Sequence, residues 1–254
     1  MRVLVTRPEP GGKWTAERLA AMGHDPVRMP LFETSITAKV EDLPPSDEIS
    51  GLIATSARAF AMFQGRDLSA TGLRDVEIYA VGPATAQAGR AAGFAHVREG
   101  GGTAQALSEA LIAARMAIRA AGGSDEPQVR PGKLVYLAGM PRKPVIETAL
   151  DAAGVPFVVL ECYEMSEISY STDILNSDIL SPAPDAVLIY SANAARRLTA
   201  LAEAKILGKA LDSGRFLCLS SAIAAELPER WQGRVTVARQ PDEDSLLASL
   251  ITLG

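Results

Sequence analysis

The residues of this chain best suited to chemistry lie where apolar, strand-like runs give way to helix-like runs. They combine hydroxyl groups, small residues that expose backbone N–H groups, and arginines. The set is Thr6, Arg7, Ser56, Arg58, Gly82, Thr85, Gly139, Arg142, Ser191, Ala192, Ser220 and Ser221. In open parallel sheets, ligands bind beyond the carboxyl ends of the strands, where helix amino termini present free N–H groups to anions. The set therefore predicts a site for an anionic ligand whose carboxylates pair with arginine.

Each of these residues also has a plainer interpretation. A serine or threonine before a helix is an N-cap that satisfies an orphan N–H, worth about 1 kcal/mol. Arg7, Arg58 and Arg142 can be ordinary solvated side chains. Both interpretations stay open for any single residue, but the recurrence of the pattern at equivalent junctions favours binding.

The common catalytic and cofactor motifs are missing from the sequence. It contains no G-x-G-x-x-G after the first strand, no G-x-x-x-x-G-K-[ST], no G-x-S-x-G and no H-E-x-x-H. The glycines at 100–102 lack the lysine of a phosphate loop and are interpreted as a flexible segment before a helix at 103–111. His24 and His96 are poorly placed for a general base, so chemistry must depend on positioning, hydroxyl donors and backbone dipoles.

The composition excludes several classes of function. A length of 254 residues predicts two domains, and 48% hydrophobic residues provide a sizeable core. The net charge of −5 offers no basic field for nucleic acid or membrane, and no apolar run is long enough to span a bilayer. Cys162 and Cys218 lie in apolar strands without a metal-binding spacing, so no metal site is predicted. The first residues form a strand pattern rather than a signal peptide, so we expect a cytoplasmic protein.

An internal repeat organises the elements that must position the candidate residues. Residues 3–33 match 134–164 at one ungapped offset, and each copy reads strand, loop, helix, glycine, strand. Further pairs align 52–63 with 188–198, 78–94 with 216–227, and 97–111 with 237–250. Apolar strands alternating with helices require parallel sheets buried on both faces. The fold class is therefore α/β, and the paired halves indicate an internal duplication.

Local patterns place the first helix of each copy. Trp14, Leu19 and Met22 predict the buried face of one helix, and Val145, Leu150 and Ala153 predict that of the other. Gly23 and Gly154 are the signals that end these helices, and strands follow at 26–32 and 156–163. An Ala-rich helix is predicted after Ser56, and segments 115–133 and 167–184 are interpreted as connectors.

The ordered motifs resemble those of the uroporphyrinogen-III synthase family. They are V-L-V-T-R-P at the start, T-S-x-x-A, V-G-x-x-T-A, G-x-x-R before a helix, an apolar strand ending in tyrosine, and S-x-x-A. The resemblance covers nearly the whole chain. It implies two flavodoxin-like domains joined by a two-stranded linker, with the substrate held in the cleft between them. On this sequence, domain one would be 1–35 plus 168–254 and domain two 38–163, with linkers near 33–38 and 163–168.

The resemblance also implies an activity. It is the cyclisation of the linear tetrapyrrole hydroxymethylbilane to uroporphyrinogen III, a lyase reaction with loss of water and inversion of ring D. No cofactor and no metal would be used. Tyr163 matches the tyrosine proposed to assist the leaving hydroxyl, although a strand-end aromatic that only packs is the alternative. The expected partner is the polycarboxylate substrate, with no nucleic acid and no membrane. We expect a monomer that makes transient contact with the preceding pathway enzyme.

One departure from the family pattern concerns the second half. Ile223 stands at the position that corresponds to Thr85, so a hydroxyl contact is in doubt there unless Ser220 or Ser221 replaces it. A non-catalytic tetrapyrrole-binding or regulatory protein of the same fold is therefore the alternative function. A nucleotide-using enzyme of the doubly wound class would need a phosphate motif that the sequence lacks.

Overall fold

The computed structural model describes residues 1–121, 132–175, 179–204, 206–207 and 209–250. The chain divides into two compact units. Unit 1 comprises Met1–Thr34 and Ser166–Gly254, and unit 2 comprises Ser35–Met165. Within the described ranges, no helix is both long enough and apolar enough to cross a membrane.

Strands and helices alternate along most of the chain. The strands are β1 (Arg2–Val5), β2 (Asp25–Arg28), β3 (Phe32–Ile36), β4 (Ile49–Ala54), β5 (Ile78–Ala80), β6 (Val97–Glu99), β7 (Lys133–Met140), β8 (Phe157–Glu167), β9 (Ala186–Ile189), β10 (Arg215–Cys218) and β11 (Val235–Val237). The helices are α1 (Gly11–Ala21), α2 (Pro83–Ala91), α3 (Ala104–Ala121), α4 (Val145–Ala152), α5 (Thr172–Ile174), α6 (Ala192–Glu203), α7 (Ser221–Ala224), α8 (Glu229–Gln232) and α9 (Glu243–Ala248). Shorter 3-10 turns span Val40–Asp42, Ser46–Glu48 and Ala57–Phe63.

Unit 1 is built on a parallel sheet with the strand order β11-β10-β9-β1-β2. Side chains alternate between its faces, as strand geometry requires. Leu4, Val187 and Phe216 pack into the core on one face, while Val3 and Leu188 pack into a second core on the other. The sheet is therefore buried on both sides.

Unit 2 has a six-stranded sheet with the order β3-β8-β7-β4-β5-β6, in which β8, β7, β4, β5 and β6 run parallel. Leu52 and Val135 face one core, and Ile53 and Leu134 face the other. Together with unit 1, this confirms the predicted α/β class with parallel sheets. The physical reason is that helices cover both faces, so the central strands need apolar residues at every position.

The chain passes between the units within β3 and β8. Around the crossing, Thr37 N donates to Cys162 O at 3.0 Å, and Ile168 N donates to Leu31 O at 3.1 Å. Residue numbers rise along one segment as they fall along the other, so β3 and β8 are antiparallel here. The long β8 continues from unit 2 into unit 1, since the boundary between the units follows Met165.

The predicted buried face of α1 is wrong for two of its three residues. Leu19 is buried, but Trp14 is 60% exposed and Met22 41% exposed. The buried residues of the first turns are instead small ones, including Gly12 and Thr15. Because Gly12, Thr15 and Leu19 recur at helical spacing, they form the face that approaches the sheet. The C-terminal signals are confirmed, since Gly23 has φ +82° and Gly154 has φ +63°.

Three other boundaries also differ from the predictions. Residues 57–63 form a 3-10 helix rather than an α-helix, and Phe60 and Phe63 of this segment both pack against Phe94. Helix α3 runs to residue 121, ten residues beyond its predicted end, because residues 112–121 are mostly good helix formers. The rest of that predicted connector, 122–131, lies outside the described residues, as do 176–178 of the other. The strand predicted at 26–32 ends at Arg28, shortly before a proline.

Candidate active site

The candidate residues of unit 1 lie at the carboxyl-terminal edge of its sheet, called the unit 1 edge. Thr6 and Arg7 follow β1, Ser191 follows β9, and Ser220 follows β10 within two residues. Because β10, β9 and β1 are neighbours and run parallel, the structure brings these residues to one edge. Ala192 and Ser221 are the first residues of α6 and α7 at the same edge.

The hydroxyl of Thr6 is used inside the sheet. Thr6 is fully buried, and its Oγ1 donates to the carbonyl oxygen of Leu188 at 2.7 Å. A buried hydroxyl needs such a partner, because leaving it unpaired costs about 1–3 kcal/mol. Thr6 therefore joins β1 to β9, and its hydroxyl is committed to that bond.

Arg7 is tied into a network of unit 1 side chains. Its Nη1 donates to Glu243 Oε1 at 3.1 Å, and its guanidinium lies 4.5 Å from the centroid of the Tyr190 ring. The same carboxylate oxygen accepts hydrogen bonds from the hydroxyls of Thr15 and Tyr190, the latter at 3.1 Å. Arg18 forms a second ion pair, with Nη1 3.3 Å from Glu243 Oε2. Arg7 is therefore paired within the protein.

The network fixes the protonation of its members at neutral pH. Partial burial acts to raise the pKa of Glu243, but hydroxyl hydrogen bonds and nearby arginine charges outweigh this effect and lower that pKa. Burial raises the pKa of Tyr190 to about 12. Glu243 therefore stays an anion while Tyr190 stays a neutral donor, which is the arrangement that keeps the network satisfied.

Two of the three serines at the unit 1 edge, Ser191 and Ser220, are helix caps. Ser191 Oγ accepts the Ala194 amide at 3.1 Å, and Ser220 Oγ accepts the Ile223 amide at 3.4 Å. Ile223 itself is buried in the unit 1 core. Ser191 therefore has the N-cap role that the plainer interpretation gives it, and the first amides of α6, including that of Ala192, remain as donors at this edge.

The candidate residues of unit 2 also meet at one carboxyl-terminal edge, called the unit 2 edge. Its strands β8, β7, β4 and β5 are neighbours and run parallel. Tyr163 lies on β8 and Gly139 near the end of β7, while Ser56 follows β4 and Gly82 follows β5. The edge therefore carries a phenol, a hydroxyl and helix amides on four adjacent strands.

Ser56 and Thr85 carry the hydroxyls beside the helical segments of the unit 2 edge. Ser56 Oγ accepts the Arg58 amide at 3.2 Å, and Arg58 itself is exposed without an ion-pair partner among the described residues. Gly82 is the N-cap of α2. Thr85, one turn later, is 5% exposed, and its hydroxyl has no partner within the described ranges. Among the described residues, Arg58 and Thr85 are therefore polar side chains without a hydrogen-bond or ion-pair partner.

Arg142 differs from Arg58 because two carboxylates hold it. Its Nε donates to Glu147 at 2.7 Å, and its Nη1 lies 3.0 Å from Glu161. Nη1 also lies 2.8 Å from the sulfur of Met140. The hydrogen bond to Glu147 raises the pKa of Arg142 further above its usual range, and partial burial opposes this. The charge of Arg142 is thus neutralised locally, as Glu243 neutralises Arg7.

Tyr163 is nearly buried, with 8% of its surface exposed, and belongs to a core of unit 2. Its ring lies against the α-carbon of Gly139. Burial raises the pKa of a second tyrosine, Tyr136, and its hydrogen bond with Thr55 opposes this rise. The Tyr136 hydroxyl lies 3.1 Å from Thr55 Oγ1. The unit 2 edge therefore holds phenol and hydroxyl groups that can donate hydrogen bonds.

Sequence reasoning missed the residues that pair the candidate arginines. Glu147 and Glu243 both lie in the first turn of a helix, where an acidic side chain is usually explained by the helix dipole. Tyr136 lies inside an apolar strand and resembles a core residue. Their positions in the first turn of a helix could have identified the two glutamates as candidates. The sequence pattern does not specify which arginine each of them pairs with.

The arrangement offers many donors and few titrating groups. Backbone amides, hydroxyls and Arg58, which has no ion-pair partner among the described residues, can bind carboxylates. A phenol can donate a proton or a hydrogen bond to a leaving group. In the part of the chain that the structure describes, no group of three or more His, Cys, Asp or Glu residues could hold a metal ion. Each of the two edges therefore offers hydrogen-bond donors that suit an anionic ligand.

Comparisons with known proteins identify one matching family. The family model described as uroporphyrinogen-III synthase HemD matches residues 13–248. Among curated proteins, no relative matches the chain significantly.

Solved structures show the same fold. The chain is similar to uroporphyrinogen-III synthetase from Helicobacter pylori, with 16% identity and a TM-score of 0.62 over 100% of both chains. It is also similar to a mutant uroporphyrinogen III synthase from the extremely thermophilic bacterium Thermus thermophilus, with 19% identity and a TM-score of 0.57. That match covers 99% of this chain and 98% of the other. At these identities the structural similarity establishes the fold.

Proposed function

The chain belongs to the uroporphyrinogen-III synthase family, and on that basis we propose that it cyclises hydroxymethylbilane to uroporphyrinogen III. The reaction loses water and inverts ring D, and its product supplies the biosynthesis of haem, sirohaem and cobalamin. The observation that carries the proposal is the family match over residues 13–248. The donor-rich edges of the two sheets are compatible with a substrate that carries many carboxylates.

The reaction requires that the substrate be held in one conformation and that its leaving hydroxyl be stabilised. The substrate hydroxyl takes up a proton and leaves as water, which creates a delocalised azafulvenium cation. The substituted carbon of ring D adds to this cation to form a spiro intermediate, which fragments and closes again with ring D reversed. Loss of a ring proton restores the pyrrole. Because unassisted closure gives the unrearranged isomer, the enzyme must hold the flexible substrate in one conformation.

Tyr163 is the proposed donor to the leaving hydroxyl. Its phenol lies at the unit 2 edge beside Gly139. A phenol can donate a hydrogen bond to the substrate hydroxyl as it leaves and stabilise the charge that develops. Thr85 and Ser56 are proposed to bind substrate at the same edge.

The substrate carboxylates are proposed to meet unpaired cations and amides rather than every candidate arginine. Arg7 and Arg142 each carry carboxylate partners, so their charges already have a counterion. Arg58 has none among the described residues and lies beside Ser56 at the unit 2 edge. Removal of Arg58 should therefore weaken substrate binding, because its charge is free to meet a substrate carboxylate.

We expect Arg58→Ala to raise KM about two- to fivefold with little change in kcat, the size of effect typical of an exposed ion pair. Arg74→Ala is the matched control, since Arg74 is also exposed and lies before β5 at the opposite edge of the same sheet. Steady-state kinetics at low and high salt measure both variants. Equal KM values for Arg58→Ala and Arg74→Ala would remove Arg58 from the site.

The proposed function is tested by the isomer of the product. Hydroxymethylbilane made in situ is mixed with the purified protein, the products are oxidised, and isomers I and III are separated. We expect isomer III to dominate, whereas the control without protein gives isomer I. An amount of isomer III no higher than in the control without protein would reject the proposed enzyme activity.

A non-catalytic tetrapyrrole-binding protein of the same fold is the second candidate. It is favoured by the unit 1 edge, where Ile223 is buried in the core and the Thr6 and Arg7 side chains are already satisfied. The same assay separates the two candidates, because a binding protein would retain the product or substrate analogue without producing isomer III.

The finer architecture forms part of the proposal. Two flavodoxin-like domains, 1–35 plus 168–254 and 38–163, would derive from an internal duplication and share a two-stranded linker, as the sequence repeat suggests. The protein would act as a cytoplasmic monomer in transient contact with the preceding enzyme. Cys162 and Cys218 are free and buried, and burial raises the pKa of each thiol to about 12, so both are unreactive. Sedimentation velocity at several concentrations tests the monomer.

A further inference from the structure

Gly139 lies directly beneath the ring of Tyr163. A Cβ atom built on Gly139 would lie 2.5 Å from Tyr163 Oη, and closer still to Cζ and Cε2. These distances are shorter than any non-bonded contact of a real side chain. The φ angle of Gly139 lies outside the left-handed region, so alanine could adopt its backbone conformation. Space for the phenol is therefore the reason that position 139 carries no side chain.

A β-bulge in the neighbouring strand brings Tyr163 to this place. Ala138 on β7 is opposite Glu161 on β8, but the next residue, Gly139, is opposite Tyr163, so Cys162 is an extra residue. Cys162 and Tyr163 are consecutive, yet both are buried in the same core of unit 2. A regular strand would turn them to opposite faces. The bulge therefore sets both the register and the direction of the phenol.

From these two features we infer that Gly139 is a positioning residue that acts through Tyr163 rather than a residue that binds substrate. The bulge at Cys162 places the Tyr163 ring over Gly139, and the absence of a Cβ atom at Gly139 leaves room for the ring. The phenol hydroxyl is thereby held at the unit 2 edge. Bulges near active sites commonly re-aim one side chain in this way. The inference rests on the proposed function for its catalytic meaning, but the contact itself is independent of that function.

The inference is tested by a double-mutant cycle. Gly139→Ala, Tyr163→Ala and the double variant are compared with the wild type, both in kcat and KM for isomer III formation and in the urea midpoint of unfolding. We expect Gly139→Ala alone to lower kcat at least tenfold, because the added methyl group displaces the phenol, and to leave KM within about twofold. In the Tyr163→Ala background the same substitution should change neither kcat nor the midpoint, because the ring that it meets is gone.

Gly233→Ala is the matched control, since a Cβ at Gly233 meets nothing within 4 Å and its φ is −66°. This variant should keep the wild-type kcat. The inference is overturned if Gly139→Ala has wild-type kcat, or if it lowers kcat by the same factor with and without the Tyr163 ring. If the protein makes no isomer III at all, the double-mutant cycle in the urea midpoints still tests the contact between Gly139 and Tyr163. A non-additive shift of the midpoint in the double variant can be measured without enzyme activity. Additive midpoint shifts would then reject the contact.

Discussion

The Tyr163→Phe variant should lose roughly 10- to 100-fold in kcat and keep its fold. General acids contribute about 10²–10⁴-fold, and water can partly replace a missing donor, so a loss near the lower end is expected. The substitution removes one hydroxyl and keeps the ring that packs on Gly139, so the core of unit 2 is preserved. KM should change little, because the carboxylate contacts of the substrate are not altered. Isomer-resolved kinetics and urea unfolding measure the two effects.

Tyr79→Phe is the matched control for this experiment. Tyr79 lies on β5 of the same unit, and its hydroxyl donates to Glu77 at 2.8 Å, outside the unit 2 edge. We expect a small loss of stability in this variant, typical of one hydrogen bond at about 1 kcal/mol, and an unchanged kcat. Wild-type turnover in Tyr163→Phe would show that Tyr163 only packs, and an equal loss in both variants would show a general effect of removing a phenol.

The second large effect concerns stability. Trp231→Ala should lower the free energy of unfolding by about 3–5 kcal/mol, the range for removal of a buried aromatic side chain. Trp231 is 2% exposed and stacks on Phe216, with ring centroids 4.4 Å apart. Trp231 belongs to the core on one face of the unit 1 sheet. It lies on α8, which is too short to move into the cavity that the substitution leaves. Urea unfolding followed by far-ultraviolet circular dichroism measures the change.

The other tryptophan supplies the control. Trp14 lies on α1 of the same unit and is 60% exposed, so Trp14→Ala should change the free energy of unfolding by no more than about 0.5 kcal/mol. A loss below about 1 kcal/mol in Trp231→Ala would mean that the core collapses around the missing ring. Equal losses in the two variants would contradict the burial on which the prediction depends.

The sequence predicted the class of fold because its signal is local and strong. Continuous apolar runs such as 134–138 are buried on both faces, and that pattern is typical of parallel sheets. The faces of individual helices were harder to predict, as α1 shows. Its apolar Trp14 and Met22 point away from the sheet, because small residues let the helix backbone approach more closely. Periodicity counts apolar residues and does not recognise glycine as a contact surface.

The sequence predicted that the candidate residues follow strands, but it did not predict which side chains pair with one another. Strand order places the residues after β1, β9 and β10 on one edge, and those after β8, β7, β4 and β5 on another. The partners of the arginines could not be predicted in the same way. Arg7 pairs with Glu243, 236 residues away, and no local pattern encodes such a contact.

The sequence by itself determined that this chain is an α/β protein with donor-rich strand ends, and its motifs placed it near one family. It did so because strands, helix caps and junction residues depend on neighbours in the chain. Only the tertiary structure decided which candidate groups are already satisfied: the hydroxyl of Thr6 is bonded within the sheet, Arg7 and Arg142 are paired, and Arg58 has no ion-pair partner among the described residues. It also decided that the ring of Tyr163 packs against Gly139. These outcomes depend on distances between residues of different strands and helices, which folding alone sets.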